Sequence, residues 1–325
     1  MKICAIGCGG HATTVHGPAQ KKYALLHPGA ILAACCDPNA SRAEDYRQRF
    51  GFARSYQDEE TMLDTEKPDA VCIVVPTTLT RQVVGPILKR GIPVMLEKPP
   101  GCTSAELEEL IDAAATGGAP HQVAFNRRQM PVMLRAMERL NTFMPPKSVF
   151  QIDYEMIRCD RRDEDFSTTA IHAIDGAHFL ARSPFRHAVL SFRDFPDLGP
   201  TVAGIELEVE CESGTRIRLN IQPVAGRNYE RISLHGHTKT LTLEFPVVGP
   251  QGSGAILDCW ENDAPVYSFR SEDSEEDLFG FYSETRAFLD AVRDGRCPHP
   301  TLAECRQPVA LMEAVRNRQS HVAWA

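Results

Sequence analysis

The chain opens with a short apolar strand, Lys2-Ile3-Cys4-Ala5-Ile6, that runs straight into Gly7-Cys8-Gly9-Gly10-His11-Ala12, and a second apolar stretch, Ile31 to Cys36, ends on Asp37. That order specifies a βαβ unit built around a dinucleotide-binding turn. Gly7 and Gly9 let the backbone turn sharply and approach a pyrophosphate, with Gly10 and His11 in the same turn. Ala12 stands where a small residue permits tight packing of the next helix on the sheet. The helix N-terminus adds free N–H groups and a partial positive charge. Asp37, at the tip of the second strand, is spaced to accept hydrogen bonds from both ribose hydroxyls; it repels a 2′-phosphate, so NAD is expected over NADP. A plainer reading is an ordinary glycine turn in which Asp37 caps the Pro38-Asn39 turn.

Strands and helices then alternate. Ser41 to Phe50 reads as a helix, and Ala70 to Val75 is a continuous apolar run of the kind buried on both faces of a parallel sheet, stopped by Pro76. A helix from about Leu79 to Lys89 leads to a strand over Ile92 to Leu96, and Thr103-Ser104-Ala105-Glu106 is a capping box for another helix. The expected fold class is therefore α/β: an N-terminal Rossmann-type, doubly wound parallel sheet, followed by a second domain. With 325 residues the chain exceeds one core, and Gly117-Gly118-Ala119-Pro120 marks the boundary, giving domains 1–121 and 122–325. A short strand, Gln122 to Phe125, enters the second domain.

From Lys147 the pattern shortens to alternating strands over Val149–Ile157, His187–Phe192, Ile205–Cys211, Arg216–Ile221, Ile232–His235 and Thr240–Phe245, joined by tight turns. This predicts a large, open, mostly antiparallel sheet. Helices are expected over Phe281–Val292 and after the capping box Thr301-Leu302-Ala303-Glu304, and the acidic run Glu272–Asp277 reads as a solvated loop or first helical turn.

Composition narrows the function. A net charge of −8 argues against nucleic acid or an anionic membrane as partner, and no apolar run approaches a membrane span, so a cytoplasmic protein is expected. The 11 cysteines are odd in number and lack any Cys-x-x-Cys pair, and Cys4, Cys35, Cys36 and Cys72 fall in expected buried strands, so all read as reduced structural thiols. No metal is expected: His178 lies six positions beyond His172, a poor spacing for one helical face, and no His-Glu-x-x-His occurs.

In open α/β sheets the ligand sits beyond the carboxyl ends of the strands. Pro76 and Thr77 follow one such end, and Glu97-Lys98-Pro99-Pro100-Gly101 follows another. A partly desolvated lysine beside a cationic ring can have its pKa lowered enough to shuttle a proton; read blandly, Lys98 is a surface lysine paired with Glu97. Arg158, Arg161 and Arg162 alternate with Asp160, Asp163, Glu164 and Asp165, and either clamp an anionic substrate or pair with those acids. Arg127 and Arg128 carry the same two readings.

The series Gly7-Cys8-Gly9, Cys36-Asp37-Pro38, Val74-Val75-Pro76, Glu97-Lys98-Pro99 and Phe125-Asn126-Arg127-Arg128 resembles the Gfo/Idh/MocA oxidoreductases, a family that includes glucose-fructose oxidoreductase and inositol dehydrogenases. The resemblance extends to Ile171-His172-Ala173-Ile174-Asp175 and Phe288-Leu289-Asp290-Ala291-Val292. It implies hydride transfer between NAD and a ring carbon of a sugar, cyclitol or sugar acid, with Lys98 orienting the reacting oxygen and His172 as acid/base. It also implies a homodimer or homotetramer formed through the second sheet. Tyr154 is a further candidate for sugar contact, or a sheet-surface residue. Two positions depart from the family pattern: Thr168 stands where an aspartate is common and Thr80 where a histidine is common. Asp175, one turn after His172, either replaces the missing acid or orients the helix. Two other functions stay open, an NAD-retaining lyase or glycoside-cleaving enzyme and a non-catalytic nucleotide-binding regulator.

Overall fold

A computed structural model describes residues 1–247, 254–271 and 275–324. Two compact units form, one from Met1–Asn126 with Gly280–Arg306, the other from Arg127–Phe279 with Gln307 onward.

The first unit is a six-stranded parallel sheet of β1 (Lys2–Ile6), β2 (Ile31–Cys36), β3 (Arg54–Tyr56), β4 (Ala70–Ile73), β5 (Val94–Glu97) and β6 (His121–Ala124), in the order β3-β2-β1-β4-β5-β6. The order reverses between β1 and β4, which creates the switch-point crevice at the strands' carboxyl ends. Ile3, Cys4, Cys35, Val71 and Cys72 are fully buried, as the apolar runs require. Burial pushes the Cys4, Cys36 and Cys72 thiols up to about 12, so they behave as small hydrophobes. The connecting helices are α1 (Gly17–Leu26), α2 (Ala40–Phe50), α3 (Glu59–Glu66), α4 (Thr77–Lys89) and α5 (Ser104–Gly117). Caps start three of them: Asn39 accepts from Arg42 N–H, Asp58 from Thr61 N–H and Thr103 from Glu106 N–H. The sequence reading omitted β3 and α3, although the Asp58 cap was available as a signal.

The second unit is a nine-stranded sheet. Its strands are β7 (Val149–Cys159), β8 (Phe185–Asp194), β9 (Ala203–Cys211), β10 (Arg216–Ala225), β11 (Tyr229–Gly236), β12 (Lys239–Glu244), β13 (Ile256–Glu261), β14 (Ala264–Arg270) and β15 (His321–Ala323). They lie in the order β14-β13-β12-β11-β7-β10-β9-β8-β15, antiparallel except for the β7–β10 pair. Alternation sends Ile152, Tyr154, Met156, Ile217, Leu219 and Ile221 into the core. Helices α6 (Pro131–Phe143) and α7 (Ser167–Ala181) pack on that face. Phe150 and Trp260 stay exposed on the sheet, at 56% and 39%. Of the acidic run, residues 272–274 lie outside the described residues, and Glu275–Leu278 form a single turn, α8.

Helix α9 (Phe281–Arg293) belongs to the first unit, so the single boundary expected at 121/122 is replaced by a chain that leaves after Asn126 and returns at Gly280. The reason is its apolar face: Phe288 and Leu289 are fully buried in the cluster that holds Ile3 and Tyr23, and Tyr23 donates to Asp290 at 2.9 Å. The capping box Thr301–Glu304 forms as read, with Glu304 accepting from Thr301 N–H at 2.7 Å, and leads into α10 (Arg306–Arg316). No helix among the described residues is long and apolar enough to cross a membrane.

Candidate active site

The glycine turn has the shape that a pyrophosphate needs. Gly7 sits at φ +90°, and a Cβ there would lie 2.0 Å from the Val74 carbonyl oxygen, so no side chain fits. At Gly9 a Cβ would meet no chain atom within 4 Å, which leaves the backbone approachable from outside. The Cys8 N–H donates to Asp37 Oδ2 at 2.9 Å, and the Asn39 N–H donates to Oδ1 at 2.9 Å. Asp37 thus caps its own turn, as the plainer reading has it, and also ties the tip of β2 to the glycine turn. A carboxylate offers about four acceptor positions, so lone pairs remain for ribose hydroxyls. The residues present therefore fit a dinucleotide. Pro76 stands at the residue before α4 and Thr77 begins it, beyond the carboxyl end of β4, while Thr80 is buried in that helix at 3%.

The helix after the glycine turn does not start as an α-helix. Ala12–His16 form a π-turn, closed by the Gly17 N–H on the Ala12 carbonyl, before α1 begins. A π-turn bonds i to i+5 and so brings residues five apart to one side; at 3.6 residues per turn they would stand about 140° apart. His11 and His16 consequently converge: Nε2 of each lies by the same Glu97 oxygen, at 3.1 Å and 2.6 Å. His16 is 1% exposed and His11 50%. The other Glu97 oxygen accepts from the Lys98 backbone N–H at 3.0 Å. Burial alone would raise the Glu97 carboxyl, but the hydrogen bonds and charge of His11 and His16 hold it well below the usual carboxylate range. Sequence reasoning missed His16, because a five-residue spacing signals opposite faces of an α-helix. It missed Glu284 too, a fully buried α9 carboxyl that burial, then the Glu97 charge, pushes well above the ordinary value. Lys98 is half-buried directly after β5. The Glu97 carboxylate is thus engaged by two imidazoles and a backbone amide.

In the second unit His172 lies mid-way along α7 at 9% exposure. Thr168, one turn earlier, donates through Oγ1 to the Asp165 carbonyl at 3.0 Å. Asp175, one turn after His172, is buried on the same helix. Both its oxygens are taken by Arg128, at 2.6 Å and 2.9 Å, in a buried fork that fastens the segment after β6 to α7. The substrate candidates Arg127, Arg158 and Tyr154 are brought together in the second unit. All three converge on Glu230 of β11, which is 5% exposed: Arg127 donates at 2.7 Å and 3.0 Å, and Arg158 and the Tyr154 hydroxyl donate as well. Burial raises the Glu230 carboxyl, and the two arginines outweigh it and hold it at about 2. Arg161 pairs with Asp163 and Arg162 with Asp160 at 2.7 Å, on the surface, which is the mutual-pairing alternative. His178 bonds Gln307 at 3.1 Å.

The profile of an oxidoreductase family with an NAD-binding Rossmann fold, Gfo/Idh/MocA, matches residues 1–125. The chain is 30% identical over 128 residues to D-glucoside 3-dehydrogenase of Escherichia coli K12, covering 39% of this chain and 35% of that enzyme's length. It thus spans only about a third of that relative. Inositol 2-dehydrogenase 2 of Saccharopolyspora erythraea is 26% identical over 267 residues, covering 76% of this chain and 74% of that one. A dehydrogenase structure from Chromobacterium violaceum superposes with a TM-score of 0.84 at 18% identity, covering 98% of this chain and 95% of that one, which establishes the fold in common. Residues 1–125, less than half of the chain, thus match the NAD-binding Rossmann domain of the Gfo/Idh/MocA oxidoreductase family.

Proposed function

We propose that this chain is an NAD-dependent dehydrogenase or reductase acting on a hydroxyl-bearing ring carbon of a sugar, cyclitol or sugar-acid derivative. The observation that carries it is the bond from the Cys8 N–H to Asp37 Oδ2, which holds an anion against the glycine turn where a ribose must lie and a 2′-phosphate would be repelled. The named relatives that act on a glucoside and on inositol support the substrate class. When bound, the nicotinamide accepts or returns the hydride. Lys98 orients the reacting oxygen and carries its proton, and His172 serves as acid/base. The test is calorimetric titration with both coenzymes, followed by hydride-transfer assays across sugars, cyclitols and sugar acids. NAD is expected to bind tightly and NADP weakly, and Asp37→Ser is expected to narrow the ratio by about tenfold or more. Failure of either coenzyme to bind refutes the reading.

One observation favours a second reading. Thr168, where the family pattern has an acid, carries no charge, and Asp175 accepts from Arg128 through both its oxygens. Product formation without net NADH would assign the chain to coenzyme-retaining lyase or glycoside-cleaving chemistry instead.

The same proposal includes self-association through the open face of the second sheet, as a dimer or tetramer, where exposed Phe150 and Trp260 together line a shallow depression. Large aromatic rings of this kind contribute about 150–250 Å² each on burial. Phe150→Glu with Trp260→Glu is expected to reduce the mass measured by sedimentation equilibrium to that of one chain; an unchanged mass rejects that surface. A reducing, cytoplasmic setting fits the 11 cysteines, all of them outside disulfides.

A further inference from the structure

We propose that His11, His16 and Glu97 form a binding site for one divalent transition-metal ion of the zinc class. The site goes beyond the dehydrogenase reading and does not depend on coenzyme binding. Two imidazoles and one carboxylate are a donor set that binds zinc while leaving a fourth position open. The three candidate ligand atoms, Nε2 of each histidine and Oε1 of Glu97, all lie within 4.8 Å of one another. Around a tetrahedral ion with bonds of about 2.0–2.1 Å, neighbouring ligand atoms stand about 3.3 Å apart. The His11–Glu97 separation of 3.1 Å is close to that spacing, and the His16–Glu97 separation of 2.6 Å reaches it by a shift smaller than a bond length.

The backbone supplies an independent reason. π-turns are rare and cluster at functional sites, and this one places two imidazoles, which α-helical geometry would separate, over one carboxylate. The rings meet edge to face at 5.4 Å between centroids, with the Phe281 ring 6.0 Å from each. The Lys98 N–H on the second Glu97 oxygen holds the carboxylate in place, as outer contacts do at metal sites. His11, half exposed, gives the ion a path from solvent. On loading, the Nε2 proton of each imidazole moves to Nδ1 or leaves to solvent, the freed Nε2 lone pairs bind the ion, and the hydrogen bonds to Glu97 are exchanged for metal bonds.

The test uses the full chain with Cys159 and Cys297, the two exposed thiols, replaced by Ser, stripped with chelator and free of coenzyme. Zinc titrated by calorimetry is expected to bind one per chain, and cobalt(II) to give the visible bands of a four-coordinate N/O site. His11→Ala, His16→Gln and Glu97→Gln are each expected to weaken zinc binding by at least about tenfold, the scale at which even outer-shell contacts act. His11 is exposed, so its variant reads out the site even where the buried variants do not fold. Absence of zinc binding, or binding that His11→Ala leaves unchanged, overturns the proposal. Coenzyme affinity measured separately keeps the two readings apart, because loss of NAD binding with zinc binding intact refutes only the first.

Discussion

Lys98→Met is expected to lower turnover by about 10²–10⁴-fold, the range contributed by a positioned proton-transfer group, while coenzyme affinity stays within about twofold. Methionine keeps most of the length and the apolar stem of lysine, so the half-buried position after β5 remains filled and only the nitrogen is lost. The residues that fit the dinucleotide, the Gly7–Gly9 turn and Asp37, are untouched and are braced by the Cys8–Asp37 bond. Steady-state assays on the best substrate of the panel, paired with calorimetric titration of NAD, separate the two effects. An unaffected rate removes Lys98 from the role proposed for it, and a matched fall in coenzyme affinity makes it a binding residue instead.

Glu230→Ala is expected to destabilise the second unit by about 3–5 kcal/mol, because it leaves the Arg127 and Arg158 charges buried without their partner. Each arginine is 13% exposed against a glutamate at 5%, so solvent cannot replace the lost carboxylate. The melting temperature should fall by on the order of 10 °C. Combining it with Arg127→Met and Arg158→Met should recover much of that loss, since the stranded charges are then gone as well. A single variant that melts like the parent rejects the hub. The same carboxyl sets an acid limit. Its folded pKa is depressed, from an ordinary 4.5 to about 2, so its stabilising contribution is complete above about 4.5 and is lost as pH falls from there toward 2. Glu230→Gln should flatten that part of a pH–stability curve.

Much of the first unit was legible before any coordinates. The strands over Lys2–Ile6 and Ile31–Cys36 form with the bounds read from their apolar runs, and the Ala70 run forms a buried strand that ends three residues before Pro76. Capping residues at Thr103 and Thr301 mark helix starts because a side-chain oxygen satisfies a local N–H. The antiparallel texture of the second unit is equally local, since alternation along each strand records which face is buried. Of the missed elements, β3 is three residues with no apolar run, whereas α6 does carry marks, Pro131 in its first turn and apolar residues at helical spacing, Val132, Ala136, Leu140 and Phe143.

What the sequence determined by itself, then, was everything written in short-range periodicity and turn chemistry: the βαβ order, the glycine turn with its acid, and the second sheet. Tertiary structure alone decided which charges meet. Arg158 is drawn to Glu230, 72 positions away, rather than to the acids beside it, and Arg128 to Asp175, 47 away. It also decided that α9 returns to the first unit and that a π-turn swings His16 onto Glu97. The physical reason is that ion-pair choice depends on separation in space and on burial, neither of which has a period along the chain, whereas a strand, a cap or a glycine turn is settled by neighbours a few residues away.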